Sequence, residues 1–308
     1  MSHFSTRFSI LTVALLLTAC GSIPSNLSQL DISKVVQTAQ SAKEATFDLS
    51  EEQEIVLGQG IASSLLGIAP LLPNQKVQQY VNNVGRWLTI QTERPDLPWT
   101  FAVIDDNDIN AFATPGGYIV ITKGLLMRMK SEAELAGVLG HEISHVLKKH
   151  HLQAVKKAAG MSAAKDILSM GMEAKGTNPG MLKLASAGTE LYTRGLDKED
   201  EFEADRMGIV IAARSGYDPF GLPAVLQTLQ TINPQDAGLA LMFKTHPTLS
   251  DRLGLLSNIM GSGFERFENQ AILTTRFNAA ISQNLPENKP TNGTDKKAKP
   301  KPKSEPKK

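Results

Sequence analysis

The segment from Ser131 to about Leu152 constrains the fold most. It opens with a capping-box pattern, Ser131-Glu132-Ala133-Glu134, and carries Leu135, Val138, Leu139, Ile143, Val146 and Leu147 around much of its helical circumference. A helix of that kind has to run through the core of its domain. In its middle stand His141-Glu142-Ile143-Ser144-His145. Positions i and i+4 share one face of an α-helix about a turn apart, so both imidazoles can reach one zinc ion while Glu142 leans over the open coordination position. The geometry suits metal-assisted hydrolysis.

A catalytic zinc site takes a third protein ligand and leaves the fourth position to water. The candidate source is Glu201-Phe202-Glu203-Ala204-Asp205, which begins 56 residues after His145. Glu201 and Asp205 are again i and i+4. If Glu201 binds the metal, Asp205 lies one turn along, where a carboxylate can accept the second N–H of a ligating imidazole and fix its tautomer. Taken alone, the acidic run from Asp197 to Asp205 also reads as a solvated helix start favoured by the helix dipole.

Around these motifs the pattern is mainly helical with a small sheet, an α+β domain over residues 49–284. A capping box at Ser50-Glu51-Glu52-Gln53 opens a helix to about Leu66, and apolar residues at Val77, Tyr80, Val81, Val84 and Leu88 space a second from Gln75 to about Thr92. Trp99 to Ile104 and Gly117 to Thr122 read as strands. Further helices are predicted around Asp197 to Arg214, closed by Gly216, and over Pro223 to Thr231 and Asp251 to Met260. Gly58-Gln59-Gly60 falls inside a helical pattern rather than after a strand and no Walker-type lysine is present, so no nucleotide is expected.

The joint pattern of H-E-x-x-H, E-x-E-A-D-x-x-G from Glu201 to Gly208, the upstream N-A-F-A-T-P-G-G from Asn110 and the downstream His246-Pro247 resembles the gluzincin metallopeptidases of the HtpX, BepA and CAAX prenyl protease family over about residues 50–260. The resemblance implies a zincin-like fold, one Zn2+ held by His141, His145 and Glu201, and Glu142 as catalytic base. It also implies that Asn110, Ala111, Phe112 and Ala113 form a strand whose edge lines the cleft for substrate. In similar relatives a histidine before proline approaches the zinc, which gives His246 either an active-site place or a structural one in its loop. Arg252, six residues on, is a candidate to stabilise the oxyanion. Arg194 precedes Glu201 by seven positions where many relatives have three, so no role is carried to it. The chain has neither the membrane helices of HtpX and the prenyl proteases nor a helical repeat domain, and the resemblance is to the compact, periplasmic branch.

The ends extend this reading. Arg7 and the twelve-residue apolar stretch Phe8 to Ala19 resemble an export signal over residues 1–19, and Leu17-Thr18-Ala19-Cys20 resembles a lipobox with Cys20 as the lipidated residue. Cys20 is the only cysteine, so a disulfide framework is excluded. By the same resemblance Gly21 favours the outer membrane, with residues 20–48 as a tether. Lys289 to Lys308 carries eight lysines against Asp295 and Glu305; since the whole chain carries +1, the rest is mildly acidic and no nucleic-acid partner is expected. Residues 285–308 have too few apolar side chains to fold.

His150 and His151, after Lys148-Lys149, suit the negative end of a helix dipole. Met161, Met170, Met172 and Met181 either fill core gaps or belong to a lid. The resulting expectation is a zinc endopeptidase of the periplasm acting on unfolded or misassembled envelope proteins. A lipoprotein chaperone with a latent zinc site is the alternative.

Overall fold

A computed structural model of the chain describes residues 49–67, 69–155, 157, 195–233, 236–239, 242, 245–267 and 269–285. The export signal, Cys20 and tether, the methionines from Met161 to Met181, Arg194 and the lysine-rich tail lie outside the described residues.

The Ser50 hydroxyl accepts from the Gln53 N–H and the Gln53 side chain accepts from the Ser50 N–H, a closed capping box that starts α1 (Glu51–Leu66). Asn74 caps α2 (Gln75–Thr89), which buries Val77, Val81, Val84 and Leu88, the three-four spacing of its sequence. The sheet holds β1 (Thr100–Ile104), β2 (Ala111–Thr114) and β3 (Tyr118–Thr122) in the order β1-β3-β2. β1 runs parallel to β3 and β2 antiparallel, with Ala111 opposite Ile121, so β2 is an outer strand of this sheet. The β2–β3 turn passes through Gly116 and Gly117 at φ 75 and 96, a region costly for side chains. Gly58 packs under this turn: a Cβ there would meet the Pro115 carbonyl oxygen.

All sixteen residues of α3 (Glu132–Leu147) are buried. Ser131 caps the Glu134 N–H, but the Glu134 carboxylate takes the Lys130 N–H at 2.8 Å, so the expected box is only half formed. The helix also ends five residues earlier than the sequence suggests. Lys149 adopts φ 58, a left-handed conformation that breaks the helix before residues 150–155 become helical again.

α4 (Lys198–Arg214) closes through Ser215 and Gly216 at φ 86, as the glycine predicts. It is followed by α5 (Gly221–Gln230), α6 (Leu249–Met260) and α7 (Thr274–Ala280). The short α7 is not announced by periodicity; it is fixed by Phe277, fully buried in the core. α3 packs most extensively on α4 and then on α5. Glycines allow the first contact, because a Cβ on Gly140 would come within 2.8 Å of the Gly208 carbonyl oxygen. Among the described residues no helix is long and apolar enough to cross a membrane.

Candidate active site

The α3–α4 contact sets the geometry of the site. His141 and His145 face α4 one turn apart, and their Nε2 atoms lie 3.1 Å from each other. Glu201, in the first turn of α4, places Oε2 3.6 Å from His141 Nε2 and Oε1 3.5 Å from His145 Nε2. One turn along α4, Asp205 Oδ1 lies 2.9 Å from His141 Nδ1. All four side chains are buried.

The hydrogens follow from these contacts. Burial opposes ionisation of Asp205, but the Arg252 charge and its hydrogen bonds hold the carboxyl far below the usual range. An ionised Asp205 only accepts, so His141 Nδ1 carries a hydrogen and Nε2 is the nitrogen left to face a metal. Glu201 Oε2 is buried without a hydrogen-bond partner. Two imidazole nitrogens and an orphaned carboxylate oxygen thus converge on one point, an arrangement that calls for a cation. Two imidazoles and one carboxylate are a donor set of catalytic zinc sites.

The surrounding charges respond to that crowding. Burial opposes charge on Glu201, yet the neighbouring histidines and Arg252 bring it down to about 2. Burial and Arg252 oppose charge on His141, but the nearby Asp205 and Glu201 carboxylates carry it up to about 9, so that without a cation the ring holds a second proton, on Nε2, which a bound metal would displace. Burial lowers His145 and His246. Glu142, also buried, is pushed up to about 7, chiefly by desolvation.

Glu142 lies between two small clefts. One runs toward His151, Gly195 and Glu201; the other toward Val138, Leu222, Val225 and Leu226. Asn110, Ala111 and His246 line both, and Phe112 borders the first. Asn110 is held by its backbone against Thr122, while its buried side-chain oxygen has no hydrogen-bond partner. His246 Nε2 stands 3.6 Å from Glu201 Oε2, and its Nδ1 stands 2.9 Å from Thr245 Oγ1.

The structure therefore gathers His141, Glu142, His145, Glu201, Asp205, His246, Asn110, Ala111 and Phe112 at one place. Ala113 belongs to the hydrophobic core and borders neither cleft. Arg252 reaches Asp205 through Nε at 2.9 Å and an Nη at 2.6 Å, and it borders the second cleft near Glu142. Sequence reasoning missed His150 and His151. Instead of serving only the helix end, both are packed against His145, with ring centroids 5.1 and 5.2 Å away. No local signal marked them, because Lys148-Lys149-His150-His151, two residues after the motif, reads as a continuing helix.

Residues 73–260 match Peptidase family M48. The chain belongs to that family. Over 210 residues it is 32% identical to the beta-barrel assembly-enhancing protease of Escherichia coli strain K12, covering 67% of this chain and 43% of the relative. A putative beta-barrel assembly-enhancing protease of Vibrio cholerae is 30% identical over the same shares. Metalloprotease YcaL of Escherichia coli is 24% identical over 264 residues, which cover 85% of this chain and all of the relative. The chain thus spans less than half the length of the first two relatives and the whole of the third. The mostly helical architecture, with its three-stranded sheet, is the zincin-like metallopeptidase domain of family M48.

Proposed function

We propose that this M48 protein is a zinc-dependent endopeptidase of the bacterial cell envelope, degrading misfolded or stalled envelope and outer-membrane proteins. The convergence of His141 Nε2, His145 Nε2 and the orphaned Glu201 Oε2 beside Glu142 carries the reading. Bound there, zinc supplies Lewis acidity toward water and the scissile carbonyl. His141, His145 and Glu201 are its ligands, and Asp205 holds the His141 ring through Nδ1. Arg252 keeps Asp205 ionised and is placed to balance negative charge developing beside Glu142. Glu142 takes the proton of the attacking water and delivers it to the leaving amide nitrogen.

Asn110 and Ala111, shared by both clefts, guide an extended peptide across Glu142. A chain must be unfolded to enter in that form, which favours misfolded or misassembled proteins as substrates. The names of the relatives support an envelope setting. The apolar run Phe8 to Ala19 ahead of Cys20 supports export to the periplasm and a lipid anchor on Cys20, in the outer membrane. The test is cleavage by the zinc-loaded full chain of an outer-membrane β-barrel protein, presented urea-unfolded and presented folded in detergent. Internal cleavage of the unfolded form alone is expected. Equal cleavage of both forms, or of neither, would contradict the quality-control reading.

A second reading has one observation in its favour: His246, 3.6 Å from Glu201 and lining both clefts, stands where it can cover the zinc. In that case the protein holds clients as a chaperone and cuts only when His246 moves. Faster cleavage by His246→Ala would support latency; slower cleavage would give His246 a part in the reaction.

A further inference from the structure

We propose that His150 and Glu203 form a positioning relay that orients His145, so that both histidines of the motif are braced from behind by a carboxylate. The contacts form a line. His145 Nδ1 lies 3.0 Å from His150 Nδ1, and His150 Nε2 lies 3.2 Å from Glu203 Oε2. The Lys148 ammonium meets the other oxygen of Glu203 at 2.9 Å. Asp200, the next carboxylate facing His150, stands farther off at 3.8 Å.

The direction of the hydrogens along this line follows from its two ends. Glu203, paired with the Lys148 ammonium, is the acceptor, so His150 Nε2 donates to it. A ligating His145 keeps its lone pair on Nε2, facing His141 and Glu201, so its Nδ1 carries the hydrogen. His145 Nδ1 is therefore the donor across the 3.0 Å contact and His150 Nδ1 the acceptor, which agrees with the His150 hydrogen on Nε2, toward Glu203. His141 reaches the same state directly through Asp205. The two rings thus present matched tautomers by different routes.

The backbone explains how His150 comes to lie there. On a continued helix, His150 would stand five residues from His145, well off its face. The left-handed Lys149, an uncommon conformation for a residue with a side chain, turns the chain so that the next residue folds back under His145. Lys149 is anchored by an ammonium 3.4 Å from the buried Glu54, and Lys148 by Glu203. His150 itself is buried, so its contact with His145 is shielded from water. Glu203 is the middle acid of Glu201-Phe202-Glu203-Ala204-Asp205, which makes all three carboxylates of that motif serve one centre: Glu201 toward the metal, Asp205 behind His141 and Glu203 behind His150.

The inference rests on the reading that His145 holds a metal, and the test separates the two. Zinc-loaded full-length protein is mixed with excess chromophoric chelator and the rate of zinc loss is followed for wild type, His150→Leu, His150→Asn and Glu203→Ala. Melting of each metal-free protein is recorded alongside. Carboxylate-linked partners of ligating histidines are typically worth about 10–100-fold in metal affinity. His150→Leu should release zinc faster by about that factor, and Glu203→Ala by a smaller one. His150→Asn, whose amide oxygen can accept near the place of the lost Nδ1, should recover most of the difference. The cobalt-substituted Leu variant should show a shifted visible band that the Asn variant does not, with metal-free melting alike in all. Zinc loss from His150→Leu at the wild-type rate would overturn the relay. So would equal loss from Leu and Asn variants with matching drops in metal-free melting, which would mark His150 as packing. A wild type that holds no zinc would instead overturn the metal reading beneath it.

Discussion

Gly140 and Gly208 meet backbone to backbone: a Cβ on Gly208 would lie 2.8 Å from the amide nitrogen of His141, and one on Gly140 would lie 2.8 Å from the Gly208 carbonyl oxygen. Side chains here would force α3 and α4 apart. The distances from Glu201 and Asp205 to the two histidines depend on that closeness.

Replacing Gly208 by alanine sets two effects against each other. Alanine is better than glycine inside a helix by up to about 1 kcal/mol. An added methyl that close to backbone atoms forces a rearrangement that costs about 1–3 kcal/mol. The second effect should win, because the obstructing atoms belong to a buried helix and not to a flexible side chain. Gly208→Ala should therefore unfold at lower urea and carry less zinc than wild type. A gain in stability with full zinc content would contradict the close-packed geometry.

At the other end of α3, the buried Glu132 carboxylate takes hydrogen bonds from the Tyr80 hydroxyl at 2.5 Å, the Tyr217 hydroxyl at 2.7 Å and the Arg276 guanidinium. Burial opposes its ionisation, but these donors, Arg276 first, bring its pKa below the ordinary value. A depressed folded-state value means that the ionised form favours the fold. The contribution is fully present above the unfolded value, about 4.3, and is lost as pH falls through the lower folded one. Glu132→Gln should cost about 2 kcal/mol near neutrality, the scale of leaving a buried charge-assisted network incomplete. In denaturation of metal-free protein its deficit against wild type should shrink below about pH 4. A deficit that is constant from neutrality to acid would show that the charge on Glu132 contributes nothing.

Asn110 is placed between the two clefts with an unsatisfied side-chain oxygen. A peptide N–H crossing Glu142 can satisfy it. Asn110→Ala should lower kcat/KM for an unfolded substrate about tenfold, the worth of one hydrogen bond of roughly 1.4 kcal/mol. Zinc content should be unchanged. Steady-state kinetics with metal analysis separates this from damage to the centre; loss of zinc in the variant would place Asn110 in the scaffold rather than in substrate binding.

Which parts were legible in the sequence follows from what acts locally. His141, Glu142 and His145 could be read because helix period alone puts them on one face, and Glu201 with Asp205 for the same reason. The boundaries of α1 and α4 were visible in Ser50 and Gly216, residues whose side chain, or lack of one, acts within a turn. His150 was hidden, because nothing in Lys148-Lys149-His150 signals a left-handed residue; ion pairs to Glu54 and Glu203, distant in sequence, accompany it. The pairing of Arg252 with Asp205 was hidden for a similar reason, since it joins α6 to α4 across the core. Gly140 and Gly208 look like weak helix formers until their contact is seen.

The most direct test of a zinc-dependent endopeptidase with Glu142 as its proton carrier is metal analysis and casein cleavage of the full chain, wild type beside Glu142→Gln. About one zinc per chain is expected in both proteins, since Glu142 is not a ligand. Cleavage should be confined to wild type, with the variant reduced by at least about 100-fold. Undiminished cleavage by Glu142→Gln, or the absence of zinc from wild type, would contradict it.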